Sequence, residues 1–370
     1  MHKHVARFTT LVLCLMMFAS PAWSAPKEQA FNEIFNILQE NFVNEVDSEK
    51  LYEGAIKGML ESLNDPYTVY FDTYGFQSFN ESFESNFSGI GVQIKAHKLG
   101  VQIVSVFKNS PAQKAGLLAN DVITIASGEK LAGKSVDYVT DLIRGAKGTK
   151  LALKFQRVNK SFFVTIVRAT IANPGVEYKM MGKYGYLKIN EFKKDSAKNT
   201  AEALKYFNSH KAQGLVLDLR DDPGGELNEA LNICEQLLPA GPMIQILNSD
   251  GNKQVIVGEG KGYGKPIVAL VNGGSASASE IVAGALQDRK AGLLIGEKTF
   301  GKASVQSIIP LESGGGLKIT IAHYLTPNGR YIHGKGISPD LNVKTDPKED
   351  LVLKKALALL NKGMVAFPKK

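Results

Sequence analysis

Three serines alternate with alanines directly after a short apolar run. Ile267 to Val271 ends at Asn272-Gly273-Gly274, and Ser275, Ser277 and Ser279 follow. Ile281, Val282 and Leu286 then recur at helical spacing. The pattern predicts a strand, a tight turn and a helix. At such a junction free backbone N–H groups converge and the helix dipole favours negative charge. A tetrahedral oxyanion could be held there. Beyond a second apolar segment, residues 292–296, a lone lysine stands between small residues, Gly301-Lys302-Ala303, with Gln306 four positions on. A lysine titrates near about 10.4 when exposed, and burial among apolar neighbours lowers that value. Once neutral, it can take the proton of a serine hydroxyl. Of the six histidines, His2 and His4 are at the N-terminus, and His97 and His210 lie in turn-like, lysine-bearing contexts. His323 and His333 come late in the chain. None has an obvious triad setting, although spacing leaves a triad open. Taken alone, these residues better fit a small-residue helix start packed on a sheet, with Lys302 a surface turn lysine.

A resemblance separates the alternatives. The run Asn272-Gly273-Gly274-Ser275-Ala276-Ser277-Ala278-Ser279-Glu280-Ile281 is followed by Gly296-Glu297, Thr299-Phe300-Gly301-Lys302 and Val305-Gln306. Together they resemble the carboxyl-terminal processing peptidases, serine endopeptidases with a serine–lysine dyad. The resemblance implies Ser277 as nucleophile, Lys302 as base and Gln306 as the residue that orients the lysine. The spacing of 25 residues from Ser277 to Lys302 matches the family's. Ala303 replaces the second glycine of the family's usual GKG. The stretch Asp218-Leu219-Arg220-Asp221-Asp222-Pro223-Gly224-Gly225 resembles the family's DLRNNPGG, with two aspartates for two asparagines. By the same resemblance, the N–H groups of Gly224 and Ala278 form the oxyanion hole. Asp65-Pro66-Tyr67-Thr68 also resembles the family, many members of which have histidine-serine after the proline; nothing chemical is expected of this pair. His333 is read as structural, because the lysine already fills the role of base.

The elements that must position these residues are legible in outline. Residues 28–42 and 51–63 carry apolar side chains at helical spacing, and Asp47-Ser48 offers a cap for the second helix. Residues 86–168 combine short β-rich runs with two helical segments, which predicts a small, partly open barrel. Ser110-Pro111-Ala112, Ala115-Gly116-Leu117, Asp121-Val122-Ile123 and Arg144-Gly145 resemble a PDZ domain. Such domains bind a protein C-terminus as an added strand. Gly89-Ile90-Gly91 matches the loop that binds the terminal carboxylate, where glycine lets backbone N–H groups point inward. Asn120 stands where the family has glycine and tolerates the same left-handed turn. From residue 176 onward strands and helices alternate, which predicts an α/β core with a largely parallel sheet. The family resemblance extends this to a ClpP/crotonase-like protease core with an inserted PDZ domain and an N-terminal helical segment.

The first 24 residues read as a secretory leader. Lys3 and Arg7 precede an apolar stretch, residues 11–18, and Ala22 and Ser24 sit at the minus-three and minus-one positions of a cleavage site. The expected organisation is a signal peptide over 1–24, a helical region over 25–85, a PDZ domain over 86–168, a protease core over 169–345, and a final helix and tail over 346–370. The leader predicts an exported, periplasmic protein with at most peripheral contact with the inner membrane. Removing it leaves Cys234 as the one cysteine, so no intrachain disulfide forms. Lys and Arg total 44 against 36 Asp and Glu, an excess too modest and too interspersed to signal nucleic-acid binding. No cofactor and no metal are expected, since no metal-spaced cluster is present. The expected partners are protein substrates with apolar C-termini, with room for an adaptor and for self-association through residues 28–42. The competing reading is a non-catalytic exported PDZ scaffold.

Overall fold

A computed structural model describes residues 27–84, 86–158, 160–172, 175–346 and 349–363. The leader and the Pro368-Lys369-Lys370 end lie outside them. The chain divides into two compact units, Met1–Asn64 and Asp65–Lys370.

The first unit contains the helices Lys27–Asn41 and Ser48–Glu61. Asp47 caps the second helix, accepting the Glu49 N–H. Phe35 of one helix stacks on Tyr52 of the other at 4.7 Å. Neither helix contains a buried residue, and Phe31, Ile34, Ile37 and Phe42 are exposed. Two helices of this length are too small to enclose a core.

In the second unit, the strands Val92–His97, Gly100–Val106, Val122–Ala126, Lys150–Arg157 and Lys160–Val167 form an antiparallel sheet in that order. The short strand Glu129–Lys130 adds to Val122–Ala126. Ile103, Leu117, Ile123, Leu131, Val139, Leu151 and Ile166 fill its core together with the helix Val136–Ile143. Ser110 and Ser135 cap the module's two helices, as Ser-x-x patterns ahead of an apolar turn require. Asn120 adopts φ +70°, the left-handed turn that asparagine tolerates best after glycine.

The rest of the second unit is built on a six-stranded sheet ordered Val176–Met181, Tyr184–Ile189, Leu215–Asp218, Ile267–Val271, Leu293–Gly296 and Leu341–Asn342. Every pairing is parallel except the first. Leu215–Asp218 and Ile267–Val271 are buried along their whole length, which explains their uninterrupted apolar sequences. The helices Ser196–Ser209, Leu227–Leu237 and Ala278–Asp288 cover one face. Leu351–Asn361 covers the other through Val352, Ala356 and Leu360. Asp218, the one polar residue of the central strands, is neutralised by Arg220 at 2.6 Å and accepts the Tyr186 hydroxyl at 2.8 Å.

The expectation of a ClpP/crotonase-like core needs correction. A second sheet of five strands stands beside the first and is antiparallel throughout: Val69–Phe71, Gly316–Leu325, Pro239–Asn248 and Lys253–Lys261 in order, with Ser304–Pro310 also on Gly316–Leu325. Stacked parallel strand–helix repeats do not account for this half of the core. It matters for the site, because Lys302 lies two residues before Ser304–Pro310.

Candidate active site

The strand Ile267–Val271 delivers the serine cluster to the edge of the parallel sheet, and the turn then consumes two of the three hydroxyls. Ser275 Oγ donates to the Leu219 carbonyl at 2.7 Å and accepts the Asn272 N–H at 3.0 Å. Ser279 Oγ donates to the Asp222 carbonyl at 3.0 Å. Both side chains are fully buried. Ser277 is only half-buried and has φ +56° and ψ −115°, a conformation that residues with a Cβ seldom adopt. Strain of this kind persists only where the surroundings impose it, and it concentrates at functional sites.

The surroundings here are two shared hydrogen-bonding groups. The buried Glu280 carboxylate reaches back one turn. Its Oε2 accepts the N–H of Ser277 at 3.0 Å and the N–H of Lys302 at 2.8 Å. Its Oε1 accepts Thr299 Oγ1 at 2.6 Å and the Gly301 N–H at 2.8 Å. The Tyr324 hydroxyl, also fully buried, lies 2.9 Å from both the Ser277 and the Lys302 carbonyl oxygens. One side chain therefore gathers the amides of both residues and another their carbonyls. Gly301 permits the approach: at φ +94°, a Cβ there would meet the Gly336 nitrogen at 2.6 Å.

Lys302 is held below the ordinary lysine range, first by burial and then by the like charge of Lys318, against the opposing pull of Asp65. Its Nζ lies 4.6 Å from the centre of the Tyr67 ring. Asp65 itself stays below the usual carboxylate range. Burial works against this, but hydrogen bonds from Thr320, Thr68 and the Tyr67 N–H overcome it. The segment from Asp65 to Thr68 thus packs against Lys302, and Tyr67 touches it, although no chemical part is expected of the Tyr67-Thr68 pair from the sequence. No local pattern could have indicated this, because the two segments are more than two hundred residues apart. Glu280 was equally without a role, yet it left a readable trace: Ser277-x-x-Glu280 is a capping-box spacing.

The remaining expected residues are placed as follows. Gln306 Nε2 donates to Thr320 Oγ1 at 3.2 Å, and through Thr320 joins the Asp65–Thr68 group rather than bonding Lys302 directly. Gly224, at φ +107°, lies against the Ser277 turn; a Cβ there would meet Ser277 Cβ at 2.8 Å and the Ala278 nitrogen at 3.0 Å. Its N–H, however, donates to Asp222 Oδ1 at 2.9 Å. His333 Nδ1 accepts the Ala303 N–H at 3.3 Å. Gly89, Ile90 and Gly91 line a cleft of about 520 Å³ with Ile94, Ile143 and Arg144; Lys188, Asn190 and Asp221 of the core close its far side. Gly91 has φ +80°, and a Cβ would collide with Ser110 at 2.4 Å. Among the described residues there is no cluster of metal-ligating side chains.

Three family models match consecutive parts of the chain: the activating protease CtpB N-terminal domain over residues 21–74, a PDZ domain over 88–166, and peptidase family S41 over 183–343. The carboxy-terminal processing protease CtpB of Bacillus subtilis is 39% identical over 331 residues, spanning 86% of this chain and 68% of its own. The carboxy-terminal-processing protease of Bartonella bacilliformis is 39% identical over 327 residues, covering 85% and 74% respectively. This chain belongs to peptidase family S41. Within that family it is a carboxy-terminal processing protease, a serine-type endopeptidase that joins PDZ recognition of C-termini to a serine–lysine mechanism. It spans about two thirds to three quarters of the length of these two relatives.

The photosystem II D1 C-terminal processing protease superposes with a TM-score of 0.54 at 26% identity, over 90% of this chain and 97% of that one. An S41 protease from Bacteroides fragilis gives 0.55 at 17% identity, over 90% and 98%, and speaks for the fold alone. Each superposition spans 90% of this chain. The S41 tail-specific-protease fold therefore replaces the ClpP/crotonase-like expectation. No helix among the described residues is long and apolar enough to cross a membrane.

Proposed function

We propose that this S41 peptidase draws in unfolded proteins by an apolar C-terminus and cuts them at Ser277, with Lys302 as the base. One observation carries the assignment: Ser277 and Lys302 share both Glu280, through their N–H groups, and Tyr324, through their carbonyls. Neutral Lys302 takes the Ser277 hydroxyl proton as Oγ bonds to the peptide carbonyl carbon. The negative charge moves to the carbonyl oxygen, facing the N–H groups of Ala278 and Gly224. Collapse of this adduct breaks the C–N bond, and Lys302 returns the proton to the departing amine. Water, deprotonated by the same lysine, attacks the acyl carbonyl; the C–Oγ bond breaks, and Lys302 returns the proton to Ser277 Oγ. Gln306 acts at one remove, steadying Thr320 and the Asp65–Thr68 group beside the base.

The substrate enters through the PDZ cleft. Gly89, Ile90 and Gly91 receive the terminal carboxylate, and Ile94 and Ile143 provide an apolar wall for the last side chain. A periplasmic location is the one the leader-like pattern of the first 24 residues supports, and there self-association through the apolar side chains of residues 28–42 and an adaptor would extend the enzyme's reach.

The test compares an unfolded protein ending in three apolar residues with the same protein ending in three aspartates. Cleavage is followed by mass spectrometry with wild type and Ser277→Ala. The apolar tail should be cut at least about tenfold faster, a difference of about 1.4 kcal/mol, and Ser277→Ala should yield no products. Equal rates for the two tails would remove the PDZ assignment. Products from Ser277→Ala would remove the nucleophile.

A further inference from the structure

One buried acid close to the site takes no part in the scheme above. Asp222 is fully buried in the loop between the strand Leu215–Asp218 and the helix Leu227–Leu237. Its backbone carbonyl ties the nucleophile turn down, accepting the Ala276 N–H at 2.9 Å and Ser279 Oγ at 3.0 Å. Its side chain does something different. Oδ1 accepts the Gly224 N–H at 2.9 Å, and Oδ2 is buried with no hydrogen-bond partner among the described residues. Gly224 is the residue whose N–H the proposed mechanism needs at the reacting carbonyl oxygen.

We infer that Asp222 is a positioning residue for peptide hydrolysis: its carboxyl decides whether the Gly224 N–H stays turned inward or swings out to the oxyanion at Ser277. This rests on the proposed roles of Ser277 and Gly224. A neutral carboxyl holds the N–H through an ordinary hydrogen bond, which the oxyanion, a charged acceptor, outcompetes. An ionised carboxylate holds it through a charge-assisted bond about twice as strong. It also sets a negative charge beside the place where the oxyanion forms. The acid form is therefore competent and the carboxylate form is closed. Gly224 has the freedom for the swing, since its φ of +107° carries no Cβ penalty.

The setting favours the acid form at neutral pH. Burial pushes the Asp222 carboxyl up to about 8, opposed by the Gly224 N–H and Ser279, with Glu191 raising it and Lys188 lowering it. Lys188 and Glu191 come from the strand Tyr184–Ile189 and the loop after it, and Glu191 is itself paired with Lys193 at 3.1 Å. From the helix Ala278–Asp288 comes Glu280, whose carboxylate is committed to the Ser277 and Lys302 amides. Asp221, the chain neighbour, is exposed and accepts from Asn272 Nδ2 at 2.8 Å.

The experiment measures kcat/KM on fluorescein-labelled casein from pH 6 to pH 9 for wild type, Asp222→Asn and Ser277→Ala. Asparagine keeps the Oδ1 acceptor and cannot ionise. Wild type should lose activity above about pH 8, and Asp222→Asn should continue to rise. The variant-to-wild-type ratio should be near one at pH 6 and about tenfold at pH 9, as expected for a single ionisation that silences the enzyme. A purely structural role would shift the ratio equally at every pH, and a constant ratio with inert Ser277→Ala overturns this inference alone. Casein cleavage by Ser277→Ala overturns the nucleophile assignment and this inference with it. A second readout is independent of turnover. A carboxyl with a raised folded-state pKa holds its proton longer in the fold than in the unfolded chain. Its contribution to stability is therefore lost as pH rises from about 4 to about 8. Over pH 5 to 8 the wild-type melting temperature should fall more than that of Asp222→Asn; parallel melting curves overturn the inference.

Discussion

Lys302→Arg should be as inactive as Lys302→Ala, with kcat lower by about 10⁴-fold or more at every pH. Arginine keeps the positive charge and much of the reach of lysine, so any role as a fixed cation, such as holding a substrate carboxylate, would survive. It cannot give up its proton in a protein, so a role as base cannot. The environment of Lys302 favours the neutral amine: burial lowers its pKa first and Lys318 lowers it further, while Asp65 pulls the other way. The sign for catalysis follows directly. The neutral fraction grows as pH rises through the lowered value, so the acid limb of the wild-type rate profile climbs towards alkaline pH. The sign for stability is the same. The unfolded chain holds its lysine proton up to about 10.4, while the folded chain has already released it, so folding gains stability with pH across that interval. Single-turnover rates from pH 6 to pH 9, with circular dichroism to confirm folding, measure both. An arginine variant that keeps more than a hundredth of wild-type activity removes the base assignment.

Which parts of this were legible beforehand depended on how far apart in the chain the interacting residues lie. Leu215–Asp218 and Ile267–Val271 announce themselves, because a strand buried on both faces must be apolar throughout. The serine-bearing turn follows from the same run. The second sheet was hidden for the opposite reason. Lys253–Lys261 is exposed over most of its length and is not apolar throughout, and Val69–Phe71 finds its partner at Gly316–Lys318, nearly the whole core away. No local periodicity encodes such a pairing. The site divides in the same way. The choice among Ser275, Ser277 and Ser279 came from family resemblance, and the fold supplies its physical counterpart by engaging two of the hydroxyls with Leu219 and Asp222. Tyr67 beneath the lysine, and Thr320 between Gln306 and Asp65, emerge only in three dimensions.

Glu280→Ala should have the largest effect on stability of any single change near the site, with activity lost as well. The carboxylate accepts the amides of Ser277, Gly301 and Lys302 and the hydroxyl of Thr299, all within 3.0 Å. Truncation strands these donors in a buried place, at a cost of about 1–3 kcal/mol each. Water entering the vacated space would recover part of that. A net loss of about 4 kcal/mol is expected, in the range that single substitutions reach only by emptying a buried network. Glu280→Gln separates assembly from stability. Glutamine fills the same volume but has one acceptor oxygen, and its amide nitrogen must face donors. It can therefore hold either the Thr299–Gly301 side or the Ser277–Lys302 side, but not both. The variant should fold, melt at a lower temperature, and turn over about 10²-fold more slowly at a temperature where it is fully folded, because a small misplacement of nucleophile and base costs that much. Raising the pH should not restore the rate, since the defect is in position rather than protonation. Denaturant unfolding and kcat measured on the same preparation test both halves. A folded glutamine variant with wild-type kcat would mean that the strained Ser277 backbone is held by Tyr324 and the turn alone, and that the carboxylate serves only the fold.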